Sequence, residues 1–323
     1  PPIVYTTLTW PDTTRYLWAF GARFARKPAL VLVYFSWHFD GEGGSREGLR
    51  QLGAYRRSFP KHRVQFVCNA PDELEALRRN GEDAALLNHN LTVSETFFRP
   101  LDDAERIFDA VYNARLDAGK RIHLAAEIER VAYITRTIPN DDASDAKRIY
   151  ESIRRLEPLH VIANRTEDRG MISLDAEGVN RAYNRASVGL CLSEIEGAML
   201  SSMEYMLAGL PIVSTPSVGG RDFFFDPDYC LIAKPDPRDI RDAVAALKAR
   251  AVPPDYIRER TLRRLEAQRA DFLALLDDFL EESGYRRRFA GAWPWLHRRN
   301  FCLWGAVEDH VARARAEATA FPG

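Results

Sequence analysis

Glu196 and Glu204 stand eight positions apart in the stretch SEIEGAMLSSMEYMLAGLPIVS, and the residues between them are small or apolar. Apolar residues recur in this stretch at three- and four-residue spacing, which predicts a helix that begins within residues 198–200. We expect Gly209 to follow the last residue of this helix, because a proline two positions later prevents its continuation.

The first turn of the predicted helix is suited to binding an anion. Its first backbone N–H groups have no partner within the helix and carry the positive end of the helix dipole, which favours a phosphate. Small residues at Gly197 and Ala198 would let a ligand approach the backbone. Glu196 before the helix and Glu204 inside it would then offer hydrogen-bond acceptors to a ribose and a sugar ring. The alternative is structural, an acid favoured by the helix dipole and a solvated helix glutamate.

Strand and helix patterns alternate along the chain and place this helix after a buried strand. Continuous apolar runs such as ALVLVYF predict buried parallel strands, and the segments between them have helical spacing. GKRIHLAAEIE, residues 119–129, is one such predicted helix. The pattern restarts after FFRPL at residues 97–101, and a long charged amphipathic helix follows Asp255. These observations predict an α/β fold of two doubly wound units, with ligands in the crevice between them.

The composition excludes several classes of protein. The chain has 323 residues with a formal net charge of -1, so no global field favours nucleic acid or an anionic membrane. It contains no stretch of roughly 20 apolar residues that could span a bilayer, and it opens without a secretory leader pattern. The four cysteines are scattered, which argues against disulfides and a zinc site. We therefore expect a cytoplasmic protein.

Three motifs resemble those of a known enzyme family. EGAMLSSMEYMLAGLPIVST, with the glycine pair that begins at Gly219, resembles the E-x7-E segment of retaining GT-B glycosyltransferases, most closely glycosyltransferase family 4. ARLDAGK resembles the G-R-L-x-x-x-K element of the family, with Arg115 and Lys120 at the family's spacing. CNAPDELEALRRNGEDAALLNHNLTVSETFFRP is similar to the end of its N-terminal domain. The motifs occur in the family's order across residues 64–245.

The resemblance implies a role for each matching residue. Arg115 and Lys120 would hold the donor diphosphate and stabilise the charge on the departing nucleotide. Glu196 would bond hydroxyl groups of the transferred sugar, and Glu204 those of the ribose. The backbone that would approach the distal phosphate is that of Gly197, Ala198, Met199, Leu200 and Ser201.

The sequence departs from the family pattern at a few positions. Ala114 and Arg121 stand where the family has glycines, before the arginine and after the lysine. Ala198 and Met199 replace Phe-Gly, and Tyr205 replaces alanine. No charged group is lost, so the departures bear on the choice of donor more than on the class of chemistry.

The loop after ALVLVYF offers further candidates. His38 and Asp40 match a His–acid pair that in the family touches the donor sugar. Gly41 and its neighbours instead match the family's glycine-rich loop, and the two alignments compete. A polar loop with a structural histidine is the third interpretation. The DPD segment at Asp226 mimics a metal-binding D-x-D, but its proline and turn-rich surroundings favour a chance match. We expect no metal and no cofactor, since basic side chains and a helix terminus can bind the phosphates.

The sequence therefore predicts a metal-independent retaining glycosyltransferase of the hexosyltransferase type, acting in bacterial-type glycan or glycoconjugate synthesis. The donor would be a UDP- or GDP-linked sugar, and the acceptor a sugar, a glycan or a lipid-linked molecule. We expect an acceptor-side domain at 1–100, a nucleotide-sugar domain at 101–285, and C-terminal helices at 286–323 that pack back on the first domain. The Trp- and Arg-rich tail could instead contact the inner face of a membrane. An epimerase or phosphorylase, or a non-catalytic binder of sugar nucleotides, are the alternative functions.

Overall fold

The computed structural model describes residues 1–7, 12–39, 43–137, 142–286, 289 and 293. The chain forms two compact units. The first comprises the described residues of Pro1–Thr92 and Ala270–Pro294, and the second comprises Val93–Arg269. Almost all of the predicted C-terminal helices at 286–323 lies outside the described residues.

The first unit contains a parallel four-stranded sheet with strands in the order β1-β2-β3-β4. All six residues of β2 are buried, as its continuous apolar sequence predicts. The elements of this unit are β1 (Ile3–Thr7), α1 (Asp12–Phe24), β2 (Ala29–Tyr34), α2 (Gly43–Ser58), β3 (His62–Cys68), α3 (Pro71–Arg79) and β4 (Ala84–Leu86).

The second unit contains a parallel six-stranded sheet. Its elements are β5 (Phe108–Asn113), β6 (Val131–Ile134), α4 (Ala143–Arg154), β7 (His160–Ile162), β8 (Arg165–Thr166), β9 (Gly170–Met171), α5 (Ala176–Asn184), β10 (Ala186–Cys191), β11 (Ile195–Glu196), α6 (Leu200–Leu207), β12 (Ile212–Ser214), β13 (Val218–Gly219), β14 (Cys230–Ile232) and α7 (Pro237–Arg250). Strands β8 and β9 form a small antiparallel hairpin.

The strand order of the six-stranded sheet reverses once. The order is β14-β12-β10-β5-β6-β7, so the chain proceeds outward from β5 in one direction and later from β10 in the other. The carboxyl ends of β5 and β10 therefore flank a topological switch point, which is where open α/β sheets bind ligands.

Local signals fix the ends of several helices. Asp142 and Asp236 accept hydrogen bonds from the first amides of α4 and α7, as expected of aspartate N-caps. Helix α6 begins at Leu200, within the predicted range. It ends before Gly209, whose φ of 76° is the left-handed conformation that glycine adopts without strain. The predicted start and end of α6 are confirmed.

The predicted helix over residues 119–129 is wrong. Two short 3-10 turns, Ala118–Lys120 and Ile122–Ala125, occupy the segment instead. Arg121 between them has a left-handed backbone with φ of 47°, which no continuous helix accommodates. The apolar residues Ile122, Leu124 and Ile128 still join the core of the second unit, which explains the helical spacing in the sequence.

The long helix predicted after Asp255 is confirmed as α8 (Pro254–Glu282). Its residues up to Arg269 belong to the second unit and those from Ala270 to the first. Within the second unit, Arg264 donates to the carbonyl oxygens of three consecutive residues, 223–225. Arg269 forms a two-point ion pair with Glu95. No helix among the described residues is long and apolar enough to cross a membrane.

The division into units falls at 92/93 and 269/270, whereas the predicted domain boundaries are 100/101 and 285/286. The segment between 93 and 101 belongs to the second unit because side chains of α5 bind its backbone. Asn180 accepts a hydrogen bond from the amide of Arg99, and Asn184 accepts one from the amide of Leu101.

Candidate active site

The switch point of the six-stranded sheet brings together a cation and an acid that the sequence separates by 76 residues. Lys120 follows β5 and Glu196 follows β10, and the Lys120 ammonium donates to Oε1 of Glu196 in an ion pair. The hydroxyl of Ser193 donates to the same Oε1 at 2.5 Å. Lys120 is 9% and Glu196 6% exposed, so water screens the pair weakly.

The second carboxylate oxygen of Glu196 is open. Oε2 makes no hydrogen bond to any residue that the structure describes, and it is not among the enclosed unpaired polar atoms. Since an ionised carboxylate can only accept hydrogen bonds, Oε2 can take a hydroxyl of a ligand while the protein holds Oε1.

The N-terminus of α6, at Leu200, lies four residues after Glu196 in the chain. No side chain caps this helix, and the amides of Leu200 and Ser201 make no hydrogen bond to a described residue. The amide and the hydroxyl of Ser202 both donate hydrogen bonds to the carbonyl oxygen of Met199. Free amides and the positive end of a helix dipole are suited to binding an anion.

A short parallel ladder holds the loop before α6. Strand β11 pairs with β13, which places Glu196 opposite Gly219. The amide of Gly220 then donates to the carbonyl oxygen of Gly197 at 2.8 Å. The predicted glycine turn thus binds the same loop that carries Glu196. Met199, the residue before the helix, has a left-handed φ of 50°, a position that glycine occupies without strain.

Glu204 lies in α6 and is fully buried, with no solvent exposure. The hydroxyl of Tyr183 donates to its Oε2 at 2.6 Å, and the side-chain amide of Asn113 donates to that hydroxyl at 2.6 Å. Burial raises the pKa of Tyr183 well above its ordinary value, which keeps the hydroxyl a neutral donor. A ribose can reach this carboxylate only if side chains around it move. The predicted ribose contact therefore requires a rearrangement.

Arg115 also follows β5 and is partly exposed. Its guanidinium lies 4.0 Å from the carboxylate of Asp117, close enough for a weak ion pair. Because Arg115 follows β5 and is positively charged, it could contact an anion at the same edge of the sheet.

Two further arginines at this edge were not predicted to contribute to the site. Arg221 is completely buried and donates to the carbonyl oxygens of Ser193 and Thr215. Arg121 donates to the carbonyl oxygen of Leu192. The position of Arg221 directly after the glycine pair was a usable signal, because a turn beside a ligand site often carries an anchoring side chain. The left-handed backbone of Arg121 could not be expected from its residue type, because arginine does not favour that conformation.

His38 lies in the first unit, where its Nε2 is 3.5 Å from the carboxylate of Asp72. Asp40 and Gly41 lie outside the described residues, so the competition between the two alignments stays open. The predicted contact of His38 with a donor sugar stays a prediction.

The DPD segment has structural partners. Asp226 binds the guanidinium of Arg260, and Asp228 accepts a hydrogen bond from the hydroxyl of Tyr256. Within the described part of the chain, no group of three or more His, Cys, Asp or Glu side chains is arranged to hold a metal ion.

Part of the second unit matches a known protein family. Residues 144–249 match the family described as glycosyl transferases group 1. The matched segment includes Glu196 and Glu204 but not Arg115 or Lys120. No curated protein sequence matches the chain.

Solved structures match over most of the chain. Sucrose-phosphate synthase from Thermosynechococcus elongatus has a TM-score of 0.64 at 17% identity, covering 87% of this chain and 74% of that one. TarM of S. aureus has a TM-score of 0.57 at 15% identity, with 83% and 53% covered. HepE of Anabaena, solved with UDP and glucose, has a TM-score of 0.52 at 13% identity, with 81% and 77% covered. Two parallel α/β units with these likenesses define the GT-B fold, as expected from the sequence.

Proposed function

We propose that this protein is a glycosyltransferase that moves a sugar from a nucleoside-diphosphate sugar to an acceptor hydroxyl, with retention of the anomeric configuration and without a metal ion. One observation carries the proposal. The free amides of Leu200 and Ser201 at the N-terminus of α6 come four and five residues after Glu196, which pairs with Lys120 at the switch point of a parallel sheet. A diphosphate needs hydrogen-bond donors and positive charge, and a sugar needs a fixed acceptor for its hydroxyls.

In the proposed reaction, the bond between the anomeric carbon and the diphosphate oxygen breaks, and the acceptor oxygen bonds to that carbon on the same face. Lys120, Arg115 and the amides of Leu200 and Ser201 stabilise the charge that develops on the departing diphosphate. The acceptor proton passes to the diphosphate. Oε2 of Glu196 holds a hydroxyl of the sugar and thereby orients the anomeric carbon.

Other proteins of this fold support the choice of donor. HepE has been solved with UDP-glucose, and TarM with UDP and glycan ligands. We place the ribose near Glu204, reached after the Tyr183 side chain moves. The acceptor is a sugar, a glycan or a lipid-linked hydroxyl. Three of the four cysteines are described, and all three are free and buried, which supports a reducing cytoplasm as the location.

Thermal-shift measurements with UDP-glucose, GDP-mannose and ADP-glucose test the donor site. We expect one nucleotide class to raise the melting temperature, equally with and without EDTA, because ligands that bind only the folded state stabilise it. The shift should disappear in Lys120→Ala and in Glu204→Ala. Lys147→Ala, at an exposed lysine of α4, is the matched control and should respond as the wild type does.

A lack of response to all three nucleotide classes would overturn the donor site. A full response of Lys120→Ala would overturn the diphosphate contact, and a full response of Glu204→Ala would overturn the ribose contact. Retention is tested separately by real-time NMR of slow donor hydrolysis. An α-linked donor should first release the α-anomer, and initial release of the β-anomer would exclude a retaining enzyme.

A further inference from the structure

Arg121 occupies a backbone conformation that suits glycine. It lies between two 3-10 turns with φ of 47° and ψ of 44°, where an L residue with a side chain is strained. Such a residue persists when its surroundings hold it in place. The contacts of its side chain show what those surroundings are.

The guanidinium of Arg121, in the segment after β5, binds the ends of two other strands of the second unit. Its Nε donates to the carbonyl oxygen of Leu192, after β10, at 2.6 Å, and its Nη2 donates to the hydroxyl of Thr215, after β12, at 2.8 Å. That hydroxyl also lies 3.3 Å from the carbonyl oxygen of Leu192, to which it donates. Leu192 and Thr215 have no solvent exposure, so both acceptors are fixed parts of the core.

These contacts involve residues that are next in the chain to those of the candidate active site. Arg121 follows Lys120, and Leu192 precedes Ser193, and both Lys120 and Ser193 donate to Oε1 of Glu196. The carbonyl oxygen of Lys120 is itself held by the buried hydroxyl of Tyr112 at 2.6 Å. The loop that carries the cation is therefore tied to the loop that carries the acid by a link outside the ion pair.

We propose that Arg121 is a positioning residue that sets the distance between Lys120 and the Ser193–Glu196 loop, so that a diphosphate and its sugar are held in one geometry. When a ligand draws Lys120 away from Glu196, the ion pair breaks, but the hydrogen bonds of Arg121 remain. The proposal rests on the proposed function for its ligand, but the link can be measured without one.

Three variants test the link. Arg121→Gly removes the guanidinium while glycine accepts the left-handed backbone, so failure to fold is not expected. Arg121→Lys keeps a cation that can reach one of the two acceptors. Ala251→Gly relieves the same strain at φ of 48° at the end of α7, outside the site, and controls for the backbone change.

Hydrogen exchange of the free protein, followed by mass spectrometry, is the first readout. Peptides that span 118–125 and 192–200 should exchange about tenfold faster or more in Arg121→Gly, because losing a local tie lowers the cost of local opening. Arg121→Lys should restore part of the protection, and Ala251→Gly should leave both peptides unchanged. Wild-type exchange in both peptides of Arg121→Gly would overturn the inference.

The second readout is steady-state donor hydrolysis, with the nucleotide sugar that stabilises the wild type. In Arg121→Gly the KM for the donor should rise about tenfold, since a small misplacement of binding groups is costly. A partly unfolded enzyme would lose kcat at unchanged KM, and that result would also overturn a positioning role. The wild type could fail to bind or hydrolyse any donor while Arg121→Gly still exchanges faster than the wild type. That result would support the link and overturn the proposed function.

Discussion

At the scale of single residues, the two carboxylate oxygens of Glu196 differ in their contacts and in their proposed roles. Two protein donors, from Lys120 and Ser193, converge on Oε1, and Oε2 is left for a hydroxyl. A nearly buried ion pair contributes little net stability, but removing one partner leaves an uncompensated charge. Lys120→Ala should therefore lose stability as well as donor binding, which is why the thermal-shift test compares the response to ligand and not the melting temperature alone.

Glu73 in α3 is a further buried acid, and it lies in the first unit. Its two carboxylate oxygens accept hydrogen bonds from the amides of Phe39 and Asn69, which follow β2 and β3. Burial raises the pKa of Glu73 to about 7, although these amides oppose the change. The folded protein thus holds the proton more tightly than the unfolded chain does. The stability that Glu73 contributes is complete below about pH 4.5 and is lost as the pH rises through about 7.

We therefore expect Glu73→Gln to remove a pH dependence. Between pH 4.5 and 8, the free energy of unfolding of the variant should rise relative to that of the wild type by about 3 kcal/mol. Urea titrations at a series of pH values measure this difference. Glu75→Gln, at an exposed position of the same helix, should follow the wild-type profile. A constant difference between Glu73→Gln and wild type across this range would contradict the assignment.

At the scale of elements, the contact between β10 and α6 positions the candidate site. Gly189 in β10 lies so close to α6 that an added Cβ would meet Cδ2 of Tyr205 at 2.5 Å. The hydroxyl of Tyr205 accepts a hydrogen bond from the amide of Asn113 at the end of β5 at 2.7 Å. One glycine thus sets the spacing between the helix and the sheet, and one tyrosine ties the helix to a strand end of the site.

Gly189→Ala should push α6 away from the sheet. We expect a loss of about 1–3 kcal/mol of stability, the usual cost of overpacking a core, together with the loss of the donor-induced thermal shift. Calorimetry with and without the nucleotide sugar measures both. Gly53→Ala in α2 is the matched control, since the nearest atom to its added Cβ is the flexible Arg57 side chain at 3.7 Å. An unaltered donor response in Gly189→Ala would show that α6 does not position the ligand.

At the scale of the whole molecule, the two units differ in how the chain builds them. The second unit is essentially one continuous segment, 93–269, whereas the first needs the N-terminal segment and the end of α8. All residues proposed to bind the diphosphate lie in the continuous segment. Donor binding should therefore belong to the second unit alone, while transfer should need both.

A fragment of residues 93–269 tests this division. We expect it to unfold in one cooperative transition and to be stabilised by the same nucleotide class as the full chain, because its core and the α6 terminus are complete. It should catalyse no transfer to an acceptor. A fragment that folds but ignores the nucleotide would show that the first unit contributes essential donor contacts.

Much of the fold followed from the sequence. Apolar runs predicted the strands because buried parallel strands are apolar on both faces, and Gly209 marked a helix end because the chemistry of a helix cap is local. The meeting of Lys120 and Glu196 was accessible only through the resemblance to a family, since their spacing in the chain gives no distance. The interruption of the predicted helix at Arg121 was missed. The left-handed backbone there is held by residues that are distant in the chain, and such contacts leave no local sequence pattern.

The sequence by itself determined the elements, their order and the types of residue that could hold a diphosphate and a sugar. Only the tertiary structure decided which side chains meet. The reversal of strand order between β5 and β10 brings Lys120 to Glu196, and the packing of α5 on α6 encloses Glu204 beneath Tyr183. The physical reason is the distance along the chain over which each effect acts. Periodicity and capping act over a few residues, whereas strand order and burial depend on contacts between residues far apart in the chain.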